Sequence, residues 1–132
     1  MATIKSTINL QTSTLFPTPV TVNVPVTEQV NLDSNFTNVT IAPSSDAIAY
    51  TSPSSNTGNI VYFYIQSPLT NSNKVDVYII DQNDNETLVM AILPGDFAWF
   101  PLATYAPGVS VKINNADPIN TVVINTFYGE RG

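Results

Sequence analysis

Apolar residues occupy alternate positions along most of this chain, and Thr, Ser and Asn fill many of the positions between them. Successive side chains of an extended strand point to opposite faces, so this two-residue period predicts β-strands. Helical periodicity is almost absent. Ile4, Ile8 and Leu10 alternate with polar residues, and further strands are predicted at residues 20–26, 36–41, 60–65, 75–80, 87–93, 97–100, 109–113 and 121–128.

Residues that favour turns separate these runs. The polar stretch 81–86 lies between two strand predictions and indicates a hairpin loop. Pro-Gly pairs at 94–95 and 107–108 fit type II turns, in which Pro takes the second position and Gly the third. Residues 114–118 should join the last two strands, and the stretches 43–58 and 67–73 predict longer surface loops.

Short strands with frequent turns predict an all-β fold, an antiparallel β-sandwich of immunoglobulin-like or jelly-roll type. A small barrel is the alternative. The run 60–65 is β-branched or aromatic throughout, which predicts a strand buried on both faces. We expect the sandwich at residues 30–132 and an N-terminal extended segment or edge strand at residues 1–29, forming one domain overall.

A proline-rich stretch sets residues 11–29 apart. Proline cannot donate a ladder hydrogen bond, so Pro17, Pro19 and Pro25 predict an edge strand or an extended arm. An arm would reach over a neighbouring subunit, which makes these prolines candidate interface residues.

Composition narrows the function. Only 11% of the 132 residues are charged and the net charge is −6, which argues against nucleic-acid and anionic-membrane partners. The chain has no His and no Cys, so the commonest general base, thiolate ligands and disulfides are excluded. We therefore expect no enzyme, cofactor or metal site. The first seven residues lack the apolar core of a signal peptide, so synthesis in the host cytoplasm is expected.

Carboxylates offer the remaining chemistry. Asp76 and Asp81 are candidates for a glycosidase pair only by default, because alternation places Asp76 on a solvent-facing side of its strand. Asp81, Asn83, Asp84 and Glu86 form the densest acidic cluster, but the pattern lacks the Gly and distal Glu of a calcium-binding loop. A solvated hairpin turn is favoured over a weak cation site.

Aromatic residues are the other candidates. Tyr62, Phe63 and Tyr64 alternate within one strand, so their rings should lie on both sheet faces. Phe97, Trp99 and Tyr105 follow the Pro94-Gly95 turn. Core or interface packing is the favoured interpretation for such residues, and a platform that stacks on sugar rings is the alternative.

The segment VDVYII at 75–80, a polar loop, residues 88–102 with the turn PGDFAW, and the strand pair 109–113 and 121–128 together resemble small β-sandwich virion proteins of tailed bacteriophages. The resemblance implies a capsid decoration (cement) protein on the capsid surface. Its partners would be the major capsid protein or other virion proteins, and it would form a dimer or trimer. The alternatives are a carbohydrate- or host-receptor-binding module and a tail or neck accessory protein.

Overall fold

Ten strands make up the regular structure of the computed structural model, which describes residues 2–12, 20–30, 34–52, 58–104 and 107–131. Within these ranges no helix is long and apolar enough to cross a membrane. The strands are β1 Ala2–Thr12, β2 Val20–Val30, β3 Ser34–Ile41, β4 Ser45–Thr51, β5 Asn59–Gln66, β6 Val75–Ile80, β7 Glu86–Ile92, β8 Phe97–Thr104, β9 Ser110–Asn115 and β10 Val122–Arg131.

The chain divides into two compact units, Met1–Asn31 and Leu32–Gly132. In the first unit, β1 and β2 pair antiparallel as a two-stranded sheet of their own. The register sets Ile8 opposite Val24 and the neighbouring Asn9 opposite Asn23, so aliphatic and polar positions alternate together along both strands. Of the three prolines singled out, Pro25 lies in β2.

The second unit contains two four-stranded antiparallel sheets, in the orders β3-β10-β5-β8 and β4-β9-β6-β7. Each of the connections β3–β4, β5–β6, β7–β8 and β9–β10 passes from one sheet to the other. This strand order is that of a jelly roll, in which two Greek keys interleave. The predicted antiparallel β-sandwich is confirmed, and the topology decides for the jelly roll over the immunoglobulin-like alternative.

The core of the second unit draws aliphatic and aromatic side chains from both sheets. Phe63 is fully buried, with its ring centroid 5.6 Å from that of Phe100. The hydroxyl of Tyr50 in β4 donates a 2.6 Å hydrogen bond to Glu130 Oε1 in β10, a buried polar link between the two sheets. The buried hydrophobic residues are Ile41, Tyr50, Val61, Phe63, Ile65, Val75, Val77, Ile92, Val111, Ile113, Val122 and Ile124.

Two sequence predictions are wrong. The predicted loop 43–58 contains the strand β4. The short side chains of Ala47 and Ala49 in this strand pack against the core, and the Tyr50 that follows them is buried. Alanine contributes little to an apolar alternation pattern, and the Ser and Pro residues on both sides of the segment favour a loop, so the pattern did not predict this strand. The run 60–65 is buried on one face only, because Val61, Phe63 and Ile65 are fully buried whereas Tyr62 and Tyr64 are half-buried.

Two buried asparagines hold loops of the second unit in place. Asn115 is fully buried, and its Nδ2 lies 3.2, 3.1 and 2.8 Å from the carbonyl oxygens of Ile41, Ala42 and Asn120. Asn71 in the loop 67–73 donates to Val123 O (2.8 Å) and accepts from Val123 N (2.9 Å). These amides bond to backbone groups at the ends of β3 and β10 and in the adjoining loops, and so they fix loop positions.

The predicted turns are confirmed where the structure describes them. Asp96 N donates to Leu93 O (2.9 Å), and Gly95 between them has φ +90°, as the third position of a type II turn requires. Residues 81–85 join β6 to β7, with Asp84 at φ 61°. The turn at Pro94-Gly95 connects β7 to β8, and β8, which is rich in aromatic residues, lies at the edge of its sheet.

Candidate binding face

The outward side of the β3-β10-β5-β8 sheet is rich in aromatic residues. On β5, Val61, Phe63 and Ile65 point into the core, so the intervening Tyr62 and Tyr64 point away from it. The other strands follow the same alternation. Phe97 and Trp99 of β8 and Phe127 of β10 thus share the outward side with Tyr62 and Tyr64, and these five residues are called the aromatic face.

The strand register gathers these rings into one patch. Tyr64 pairs with Trp99 on one side and with Phe127 on the other. The rings of Tyr62 and Trp99 are nearly parallel, with an interplanar angle of 13° and centroids 6.0 Å apart. The rings of Tyr64 and Phe97 are 6.2 Å apart at 31°. Diagonal contacts of this kind hold aromatic side chains in defined orientations.

A row of three amides borders the aromatic face. Asn38, Asn125 and Gln66 are register partners across β3, β10 and β5, and Gln66 pairs in turn with Phe97. Asn38 Nδ2 donates to Asn125 Oδ1 (2.8 Å), and Asn125 Nδ2 donates to Gln66 Oε1 (3.3 Å). This amide row lies two residues along each strand from the aromatic pairs, a step of about 7 Å.

The face is accessible and uncharged. Phe97 is 57% exposed, and the other four rings are half-buried. No outward position of β3, β10, β5 or β8 whose side chain the structure describes carries a charge. Ile60, Thr40, Val123 and Pro101 occupy further outward positions beside the rings and the amides.

The opposite sheet presents a contrasting outer surface. Lys112 Nζ lies 2.5 Å from Glu86 Oε2 and 3.7 Å from Asp46 Oδ2, and it stands 5.0 Å from the centroid of the Tyr78 ring. The hydrogen bond from Lys112 to Glu86 raises the pKa of this lysine, so the cation is retained. Charge is therefore concentrated on one sheet and is absent from the described outward positions of the other.

The acidic candidates serve turns and ion pairs. Asp76 Oδ1 lies 2.6 Å from Lys74 Nζ on the outer surface of β6. Asp81 Oδ1 accepts hydrogen bonds from the backbone N–H groups of Asn83 (2.8 Å) and Asn85 (2.9 Å). Hydrogen bonds from Asn85 and Asn83 lower the pKa of Asp81. Across the ranges that the structure describes, no group of three or more acidic residues is placed to hold a metal ion.

The predicted interface residues fall in both units of the chain. Phe97 and Trp99 lie together on the aromatic face, whereas Pro25 lies opposite Thr7 in the first unit. Pro17, Pro19 and Tyr105 fall outside the described residues. Sequence reasoning missed Phe127 and the amide row, because membership of this face depends on which strands are neighbours in the sheet.

No protein-family model and no curated protein matches the chain. It is similar to a solved protein of Bacillus endospore appendages, which form disulfide-linked pili, at 16% identity and TM-score 0.51, covering 80% of this chain and 93% of that one. That likeness supports the β-sandwich fold. This chain has no cysteine, so a disulfide link of that kind is excluded.

Two further solved structures are more distant. One is the Yersinia pseudotuberculosis-derived mitogen, at 13% identity and TM-score 0.44, covering 74% of this chain and 85% of that one. The other is a mutant of a family 29 carbohydrate-binding module, at 10% identity and TM-score 0.41, covering 98% of this chain and 93% of that one.

Proposed function

We propose that this protein is a non-catalytic structural part of a virion surface, a decoration protein that binds the assembled capsid lattice. The resemblance of segments 75–80, 88–102, 109–113 and 121–128 to small phage virion proteins supports this role. The lack of His and Cys and the low charge agree with it. The jelly roll occurs in viral capsid proteins as well as in other classes of protein.

The observation that carries the proposal is the division of the chain into two units. The second unit has a hydrophobic core of its own, drawn from both sheets of the sandwich. The first is a two-stranded ribbon, and such a ribbon has marginal stability in water unless its apolar side is covered. We assign the ribbon to attachment on the capsid shell.

Decoration of this kind stabilises a shell by mass action. A protein that binds only the assembled lattice favours that lattice in proportion to the logarithm of its concentration over its dissociation constant. Linkage between copies in a dimer or trimer raises the effective concentration at neighbouring sites. No step of this mechanism requires a catalytic residue.

Copy number in purified virions tests the role. We expect mass spectrometry to find the protein in proportion to the major capsid protein. Its absence from virions would contradict the proposal. A few copies per particle would contradict decoration and favour the tail or neck alternative.

A pair of matched double variants tests the attachment. In the full chain, Ile8→Asp with Val24→Asp changes two aliphatic register partners of the ribbon, and Asn9→Asp with Asn23→Asp changes the adjacent polar pair. Both add the same charge. We expect the first variant to reduce the copies per virion at least about tenfold and the second to leave them unchanged. Equal incorporation of both, with the sandwich folded, would contradict the assignment.

A further inference from the structure

We propose that the aromatic face and the amide row together form a binding site for a neutral polysaccharide. The proposal goes beyond the virion role and does not depend on it. It rests on the side chains of β3, β10, β5 and β8 and on their register alone.

The aromatic face fits the apolar side of a sugar. A pyranose ring presents C–H groups on its faces, which pack against aromatic rings, while its hydroxyls project around the rim. Tyr62 and Trp99 are nearly parallel neighbours, and Tyr64 and Phe97 form a second pair beside them. Rings that already contact one another lose little side-chain entropy when a ligand binds.

The amide row fits the hydroxyls of a sugar. Each carboxamide has two N–H donors and an oxygen that can accept twice, which matches the mixed donor and acceptor character of a hydroxyl. The two bonds within the row use Asn38 as a donor and Gln66 as an acceptor. Neither bond uses the Gln66 NH₂ group, next to Phe97, or the Asn38 oxygen, at the opposite end of the row, so a ligand that runs along the row can bond with both.

The charge and shape of the site define the ligand class. The outward positions whose side chains the structure describes carry no charge, so these side chains would not repay the desolvation of a carboxylated or sulfated sugar. Four strands spaced about 4.8 Å apart make an open surface about 14 Å across. Such a surface accommodates a run of several sugars along a chain better than one enclosed monosaccharide.

The test measures binding of the full chain to soluble neutral polysaccharides, namely xyloglucan, galactomannan, dextran and laminarin, by affinity electrophoresis and calorimetry. Heparin and polygalacturonate serve as charged probes. Trp99 is the one tryptophan of the chain, so its fluorescence reports directly on the face. We expect at least one neutral polysaccharide to bind and to change this emission, and neither charged probe to bind.

Matched variants locate the site. Tyr62→Ala removes a ring of the aromatic face, whereas Tyr78→Ala removes a half-buried tyrosine on the outer surface of the opposite sheet. We expect Tyr62→Ala and Trp99→Ala to weaken binding at least about tenfold, and Tyr78→Ala to change it less than about twofold. Trp99→Phe, which keeps a ring, should retain most of the affinity.

Three results would overturn the proposal: no binding to any of the four neutral polysaccharides, binding to the charged probes alone, or an equal loss in Tyr78→Ala. Unchanged incorporation of Trp99→Ala into virions would show that the glycan site and the structural role are separate. Loss of the structural role with retained polysaccharide binding would leave this site standing.

Discussion

Single polar side chains do much of the positioning in this jelly roll. Asp117 shows this most clearly, because its carboxylate accepts hydrogen bonds from Ile119 N (2.8 Å), Asn120 N (3.0 Å), Asn120 Nδ2 (3.0 Å) and Ser72 Oγ (3.3 Å). The bonds from the Ile119 and Asn120 backbone, with those from side chains, lower the pKa of Asp117 to about 2. One ionised group thereby organises the connection between β9 and β10.

Asp117 predicts how stability depends on pH. A carboxyl whose pKa is lower in the folded state stabilises the fold above its unfolded value near 3.9, and this contribution is lost as the pH falls towards about 2. We expect the melting temperature of Asp117→Asn to lie below that of wild type at pH 7, and the gap to narrow between about pH 4 and pH 2.

Thermal melts followed by circular dichroism from pH 7 to pH 2 check this expectation. Asp96→Asn, at an exposed position of the β7–β8 turn, should leave the melting temperature at pH 7 nearly unchanged. A gap for Asp117→Asn that stays constant with pH would show that the charge of this carboxylate is not what stabilises the loop.

At the scale of elements, the sequence predicted the strands that carry strong apolar alternation and missed the one that does not. β5 and β6 were evident from Val, Ile and Tyr, whereas β4 depends on Ala47 and Ala49, whose apolar surface is small. The candidate site was predicted only in part. Phe97 and Trp99 were identified as aromatic residues that follow the Pro94-Gly95 turn, but Asn38 and Asn125 become neighbours through a pairing across most of the chain.

Two glycines with left-handed backbone conformations allow a matched test of turn chemistry. A Cβ at Gly95 (φ +90°) would meet Leu69 Cδ2 at 2.7 Å, whereas a Cβ at Gly108 (φ +86°) meets nothing within 4 Å. Leu69 is 83% exposed and can move aside. We therefore expect Gly95→Ala and Gly108→Ala to lower the free energy of unfolding by similar amounts, about 1–2 kcal/mol each, because alanine is disfavoured at the positive φ angles that glycine adopts at both positions.

Urea denaturation measures both variants. A much larger loss for Gly95→Ala would mean that Leu69 is held rigidly over the turn, contrary to its exposure.

At the scale of the whole molecule, the two sheets are joined by apolar packing and by buried polar links, among them the hydrogen bond between Tyr50 and Glu130. The Tyr50 hydroxyl reaches Glu130 Oε1 across the sandwich, and the Tyr50 ring meets that of Tyr128 edge-on at 4.9 Å. Both Tyr128 and Glu130 belong to β10, so a single residue of β4 connects the sheets at two points. A directional hydrogen bond of this kind fixes the alignment of the two sheets more specifically than aliphatic packing alone.

Removal of the Tyr50 hydroxyl should therefore destabilise the fold. We expect Tyr50→Phe to lower the free energy of unfolding by about 1.5–3 kcal/mol, because the Glu130 carboxyl remains buried after losing its donor. Glu130→Gln keeps an acceptor oxygen and should cost less. Chemical denaturation of both variants checks the order, and an equal or larger loss for Glu130→Gln would contradict the assigned role of the hydroxyl.

The sequence by itself determined that this protein is all-β, where most of its strands and turns lie, and that it has no thiol or imidazole. These properties follow from local alternation, from turn residues and from composition, which need no knowledge of the fold. Tertiary structure alone decided the jelly-roll order, the separate β1–β2 ribbon and the membership of the aromatic face. Strand pairing depends on contacts between residues far apart in sequence, so the face that joins Phe97 and Trp99 to Phe127 and the amide row emerges only when the sheet is assembled.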